Sequence, residues 1–402
     1  MKRAYNINWN KRALKSIAHG ALTNSKRAST FVEGVYPSHV QAAYKCYLVD
    51  VDGNKYIDYI CALGTNFFGY ANPEITRAVT QALQTGGPVF SFGSAEEVKL
   101  AEKMKEVFPF LDRVRFLKSG SEGCTAAIRI ARAFTGRKKV LQQGYSGWHD
   151  QFVSLTPPAH GVVDTFNIEK LGEIHNPDQV AAIILEPIIT DTSDKRIHFL
   201  QLLRDLCTKA GIILIFDETI TAYRFPEYSV AKHLNILPDL WIGGKALAGG
   251  LSLSVVGGRR DIMESDYFVS STWAGDRLSC AAALEAITLS HGDYRPEDLW
   301  RMGQDFKDKF NSISEEVQIE GYPTRGVFKY KSEGYKALFM QELCKAGVLI
   351  GPTWFYNKHL HVEMENVCSI AKAVDKKIKA GECRLEGKPP QSPFAERVRG
   401  HD

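Results

Sequence analysis

Three short segments carry residue types that could act together. In Lys118-Ser119-Gly120-Ser121-Glu122-Gly123, small residues with hydroxyls and unhindered N–H groups stand where a helix begins. Unsatisfied donors and the positive end of a helix dipole favour an anion such as phosphate there, although Ser-Gly-Ser alone is also an ordinary cap and turn. Residues 212–218, Ile-Ile-Leu-Ile-Phe-Asp-Glu, deliver two carboxylates, Asp217 and Glu218, to the end of an apolar run. An acid in that place can hold a positive charge or cap a helix. Trp241-Ile242-Gly243-Gly244-Lys245-Ala246-Leu247-Ala248-Gly249-Gly250 sets one lysine between glycine pairs. Such a backbone turns sharply and admits a bulky ligand, and the amine could attack a carbonyl; a lone lysine of this kind is more often a solvated turn residue.

The elements that must position these residues follow from hydrophobic pattern. Short apolar runs at 114–117, 140–142, 182–185, 212–216, 240–242 and 254–256 alternate with helical stretches. That alternation predicts a mostly parallel sheet buried on both faces, with ligands beyond the carboxyl ends of its strands. All three segments leave such ends. The helix after the first is expected to turn Ala127, Ile130, Ala131 and Phe134 to one face. Upstream, residues 47–60 read as a hairpin turning at Asp52-Gly53, followed by a helix (Ile75, Val79, Leu83) that stops at Gly86-Gly87 and a second helix over 95–107. The Pro-containing stretch 387–394 reads as a loose tail.

The chain has 402 residues, a formal charge of +4 from 50 Lys+Arg against 46 Asp+Glu, and 44% hydrophobic residues. These values describe a soluble globular protein of two or three domains and exclude collagen-like, disordered and disulfide-framework classes. Eight scattered cysteines with no C-x-x-C pair argue against structural zinc and fit a reducing cytoplasm, and no apolar run is long enough for a membrane span. The basicity belongs to the ends. Residues 1–30 hold seven Lys/Arg and no acid, a segment expected to be solvated or to clasp a second subunit rather than to bind nucleic acid, since no reader motif or interleaved aromatics accompany it. The run ending in Asp217-Glu218 also looks like the magnesium strand of a P-loop ATPase, but Ala246 follows Gly244-Lys245 and Asp239 replaces the leading glycine, so the loop that reading requires is missing.

A phosphate cradle, a strand-end acid and a glycine-flanked lysine, in that order on one sheet, match the needs of pyridoxal 5'-phosphate: an anion site, a carboxylate for the ring nitrogen and an amine for the aldehyde. With these residues in place, the chain resembles the class III (subgroup II) aminotransferases, and in particular the branch of glutamate-1-semialdehyde 2,1-aminomutase. The resemblance runs over about 31–380 and rests on residues 51–58 (Val-Asp-Gly-Asn-Lys-Tyr-Ile-Asp), Ser119-Gly120-Ser121-Glu122, Gly144-Tyr145-Ser146-Gly147-Trp148, Leu185-Glu186-Pro187, Phe216-Asp217-Glu218, Gly244-Lys245 and residues 256–263.

The resemblance implies an α/β fold of PLP fold type I. Its large domain has a mostly parallel mixed sheet covered by helices, and a smaller α+β domain comes from the terminal segments. The expected boundaries are 1–60 for the arm and part of the small domain, 61–290 for the large domain, 291–380 for the rest of the small domain and 381–402 for a tail. By the same resemblance Lys245 would carry the cofactor as a Schiff base and Asp217 would pair with its ring nitrogen, ionised and with a depressed pKa. Ser119, Gly120 and Ser121 would cradle the phosphate, Tyr145 would stack on the ring, and Thr219 would face it. Thr272 would reach the phosphate of the other subunit of a homodimer. Arg27 and Glu186 are candidates for substrate contacts.

Departures bear on the substrate rather than on the catalytic groups: Ser146 replaces a usual His, Thr219 a usual Val, and Asp276-Arg277 a usual Asn-Pro. His359, His361 and Glu363 alternate as on a partly exposed strand and, lacking a fourth ligand, do not read as a metal site. The resemblance thus implies an aminotransferase acting on a small amino donor and a carbonyl acceptor, with intramolecular aminomutation or an inactive binding protein as alternatives.

Overall fold

The computed structural model describes residues 1–152, 164–165, 174 and 176–392. It divides into two compact units, one of Met1–Asn72 with Leu299–Asp402, the other of Pro73–Asp298.

The second unit is built on a seven-stranded sheet in the order Arg113–Leu117, Ser254–Gly258, Leu240–Gly243, Ile213–Glu218, Val180–Leu185, Lys139–Gln143, Asp164–Thr165. Neighbours pair in parallel except Ser254–Gly258, which runs against both its partners. Every residue of the three strands Val180–Leu185, Ile213–Glu218 and Leu240–Gly243 is buried, which is why they read as unbroken apolar runs instead of alternating ones. Helix Gly120–Thr135 covers them with Ala127, Ile130 and Ala131 in the core. Phe134 does not join that face: at the last turn, it is 39% exposed. The helix ends at Gly136 in the left-handed conformation. Helices Pro73–Gln84 and Ala95–Val107 form where expected, the second opened by a reciprocal Ser94/Glu97 capping box.

In the first unit, the strands Tyr47–Asp50 and Lys55–Asp58 make the expected hairpin, in a four-stranded sheet with Val40–Tyr44 and Val348–Leu349. The basic N-terminal segment is fastened to that hairpin. Helix Ala4–Ser16 has no cap of its own, and its first-turn N–H groups at Tyr5 and Asn6 donate to the Asp52 carboxylate at 2.9 and 2.8 Å. The buried Asn6 amide adds bonds to Asp50 and Asp52, while Lys11, Arg12 and Lys15 stay exposed.

Two expectations fail here. Residues 358–363 form a 3₁₀ helix, not a strand; Glu363 accepts the Tyr47 hydroxyl, and His361 lies against the Tyr356 hydroxyl. The stretch before residue 392 is docked rather than loose, since Glu33 and Lys388 exchange backbone bonds and the Gln341 amide holds Arg384 and Glu386. The remainder of the expected tail, Phe394 included, lies outside the described residues. Among the described residues, no helix is long and apolar enough to cross a membrane.

Candidate active site

Strands Ile213–Glu218 and Leu240–Gly243 run parallel with Asp217 beside Ile242 and Glu218 beside Gly243, so the acid and the start of the lysine loop leave the sheet together. Successive strand side chains point to opposite faces, which separates the two carboxylates. Glu218 is fully buried and accepts the N–H groups of Val230 (2.7 Å) and Ala231 (2.9 Å) and the Thr221 hydroxyl (2.8 Å), fixing the start of the short helix Val230–His233. Its work is structural. Asp217, on the other face, is held on both oxygens: Oδ1 by the Thr219 hydroxyl (2.6 Å) and N–H (3.1 Å), Oδ2 by the Cys124 thiol (3.1 Å).

Burial pushes the Asp217 carboxyl pKa up, and those donors together with the Lys245 charge pull against it. The expected depression is therefore not a property of the chain by itself. Desolvation is the largest influence, and the positive charge that expectation assumed belongs to a bound ring nitrogen.

The cradle helix opens at Ser119, whose hydroxyl accepts the Glu122 N–H, while the Glu122 carboxylate accepts the N–H groups of Ser119 and Lys118. That hydroxyl oxygen is thus spent on capping. The N–H groups of Gly120 and Ser121 are left as first-turn donors for which the helix has no acceptor. Ser254 and Ser252 brace the turn from behind, their hydroxyls donating to the carbonyls of Ser119 (2.7 Å) and Lys118 (2.6 Å).

Thr219 is wedged between two glycines. A Cβ on Gly120 would fall 2.8 Å from its methyl and one on Gly244 3.1 Å from the same carbon. Cradle, acid and lysine loop therefore meet at one residue. Lys245 opens the 3₁₀ turn Lys245–Ala248 with φ +45°, a left-handed conformation uncommon for a side-chain-bearing residue, and its charge acts on both Asp217 and Cys124.

The loop carrying Tyr145 lies on the cradle helix. Gly147, at φ +104°, leaves no room for a Cβ, which would sit 2.7 Å from Ser121 Cα, and the Trp148 N–H donates to Ser121 Oγ. Tyr145 itself is 39% exposed, and its N–H donates to the buried Glu186 at 2.9 Å. Behind Glu186, the Arg196 guanidinium donates to the carbonyls of Glu186 (2.9 Å) and Pro187 (2.8 Å) and to the Gln143 amide oxygen (3.0 Å); burial brings its pKa down to about 10.

The structure thus gathers Ser119, Gly120, Ser121, Asp217, Thr219 and Lys245, with Tyr145 and Glu186 on adjoining loops. Thr272 lies in an exposed turn of the same unit, with no hydrogen bond to any of these described residues, and Arg27 lies in the other compact unit, partly buried after the turn Asn24–Lys26. Sequence reasoning missed Cys124 and Arg196. The position of Cys124, one turn into the cradle helix, was a usable signal; nothing in the pattern around Arg196 distinguishes it from a solvated arginine.

The family model for class-III aminotransferases matches residues 32–170 and 162–362. Glutamate-1-semialdehyde 2,1-aminomutase of Chlorobium phaeobacteroides (strain BS1) is 30% identical over 391 residues, covering 85% of this chain and 90% of that protein. Among solved structures, an omega-transaminase from Sphaerobacter thermophilus superposes with a TM-score of 0.83 at 22% identity, over 93% of this chain and 98% of that one. A glutamate-1-semialdehyde aminomutase from Pseudomonas aeruginosa in complex with PMP gives 0.80 at 16% identity, over 93% and 94%. These two likenesses show a shared fold. The family match over most of the sequence, joined to the 30% identity, establishes that the chain belongs to the class-III aminotransferases.

Proposed function

We propose that this protein moves an amino group from an amino donor to a carbonyl acceptor, with pyridoxal 5'-phosphate held by the residues around Thr219. The observation that carries the reading is the wedge itself: one threonine binds the buried acid and packs against both the cradle glycine and the glycine before the lysine. The residues fit the cofactor. First-turn N–H groups suit a phosphate, a buried carboxylate suits a protonated ring nitrogen, and an amine on the next strand end suits an aldehyde.

When bound, the cofactor supplies a carbonyl that takes up the amino group and a ring that draws electrons from the carbon losing a proton. The N–H groups of Gly120 and Ser121 bind its phosphate. Asp217 accepts the ring N–H in a charge-assisted bond, strengthened by burial. Tyr145, whose N–H is held by the Glu186 carboxylate, would cover the ring. Lys245 Nζ would be the base that takes the proton from the substrate carbon bearing the amino group and the acid that gives it back. Glu186 is the candidate substrate contact within the unit that carries Lys245.

The active form in this reading is a homodimer in which Thr272 of each subunit serves the other's phosphate. Its support is the exposure of Phe268 (77%) and Trp273 (54%) beside that threonine, since large apolar side chains so placed favour a covered face. Eight free cysteines, seven of them buried, suit a reducing cytoplasm.

Aminomutation is the second reading, favoured by the 30% identity to an aminomutase. The test is chemical. Borohydride treatment of the coloured protein is expected to fix a pyridoxyl group on the peptide containing Lys245, and a colourless protein that cannot be reconstituted overturns the proposal. Stoichiometric release of a keto acid from a supplied amino donor supports transamination; its absence with a competent substrate supports aminomutation.

A further inference from the structure

The inference drawn here rests on the reading of Asp217 above. Cys124 lies in the second turn of helix Gly120–Thr135, 1% exposed, with its side chain turned onto the end of strand Ile213–Glu218. Its Sγ stands 3.1 Å from Asp217 Oδ2 and donates to it, whereas Oδ1 is occupied by the hydroxyl and the N–H of Thr219. The two carboxylate oxygens are therefore held unequally. Oδ1 has two donors, one of them a short O–H bond. Oδ2 has one, and a thiol is among the weakest donors a side chain offers.

A carboxylate oxygen has about two acceptor directions, so Oδ2 keeps one for a further partner and gives up little charge to the thiol. We infer that Cys124 is a positioning residue: together with Thr219 it fixes the rotation of the Asp217 carboxylate and leaves Oδ2 as the oxygen offered to the cofactor's ring nitrogen. Alanine at 124 would free that rotation and leave a buried oxygen without its donor. Serine would restore alignment, but its stronger bond would draw more charge from the oxygen the ring nitrogen needs. The thiol stays protonated in this role, because burial and the neighbouring carboxylate both push its pKa up.

The experiment reconstitutes the full-length apo-protein with pyridoxal phosphate for the wild type, C124A, C124S and D217N. It reads the cofactor dissociation constant, the pH midpoint at which the bound chromophore's absorption band shifts, and the melting curve that reports folding. C124A is expected to bind about fivefold more weakly, and C124S within about twofold of the wild type, with the two chromophore midpoints displaced in opposite directions. A residue that merely filled space would leave the midpoint unmoved in the near-isosteric C124S. Wild-type affinity and midpoint in both cysteine variants, with D217N crippled, overturn the role of Cys124. Wild-type behaviour in D217N as well overturns the reading of Asp217 itself.

Discussion

The Lys118 ammonium lies 2.5 Å from Asp276 Oδ2, joining the entry of the cradle helix to the start of helix Arg277–His291. The same carboxylate caps that helix through the Ser279 N–H at 3.1 Å, and the Ser279 hydroxyl links Lys118 to the Ser252 carbonyl. Arg277, the next residue, is buried and reaches Glu96 at 3.0 Å and the carbonyls of Ala82 and Gly87. Asn-Pro, the usual pair in the family the sequence resembles, could make neither ion pair.

Asp276→Asn separates the two duties of that carboxylate. Asparagine is as good a cap as aspartate, so only the ion pair is lost. Because Lys118 is partly exposed, the expected cost is about 1–2 kcal/mol. Asp276→Ala should cost about 1 kcal/mol more through the lost cap. Denaturant unfolding of the two variants checks the order.

Gly120→Ala tests the wedge. The new methyl would press on the Thr219 side chain from under 3 Å and displace the hydroxyl that holds Asp217 Oδ1. Cofactor affinity is expected to fall about tenfold, which corresponds to losing one hydrogen bond to a charged group. Thr219→Ser on that background removes the crowded methyl and should recover part of the loss, as read by reconstitution titrations.

Arg196→Met leaves two buried carbonyls without their charged donor and slackens the support beneath Tyr145. About 3 kcal/mol of stability is expected to go with it, together with a raised KM. Arg196→Lys should regain less than half, since a point charge cannot serve three acceptors laid out for a guanidinium. Unfolding curves and steady-state kinetics on both variants give the comparison.

Asp58 predicts a pH dependence. Buried, and with the Tyr70 hydroxyl at 2.6 Å, its carboxyl pKa is pushed up to about 6, the cause being desolvation. A carboxyl with a folded value above its unfolded one binds its proton more tightly in the native state. Its favourable contribution is then full below the unfolded value near 4 and is lost as pH rises through about 6, a change of about 3 kcal/mol. Asp58→Asn lacks that slope. The melting temperature of the wild type relative to Asp58→Asn should therefore fall between about pH 4 and about pH 6.5 and level off above, and a flat difference would refute the assignment.

How much of this was legible in advance varies with the range of the interaction. The central strands could be read because burial on both faces forces them to be apolar throughout, and Asp217 and Lys245 because they interrupt that text at strand ends. Phe134 was misplaced because helical periodicity names a face without saying where the sheet beneath it stops. Residues 358–363 alternate like a strand yet form a 3₁₀ helix, whose threefold repeat is too short over six positions to announce itself. The Cys124 thiol, the Arg196 brace and the Lys118–Asp276 pair depend on which distant elements become neighbours, and no local pattern records that. The docking of the N-terminal helix on Asp52 was invisible for the same reason: the turn residue that announces a hairpin gives no sign that its carboxylate also serves another helix.

The strand Ser254–Gly258, reversed within the large sheet, has a consequence for how this sequence can change. Residues 246–253 run from the lysine to Ser254, where the strand must start opposite Leu117 for its hydroxyl to reach the Ser119 carbonyl. That stretch works as a ruler. Adding or deleting one residue would turn the strand inside out and part the Ser119–Ser121 turn from Lys245 at once. Engineered variation there has no freedom in length, and little in composition where Ala246, Leu247 and Ala248 are buried and Gly249 is left-handed against Ile75.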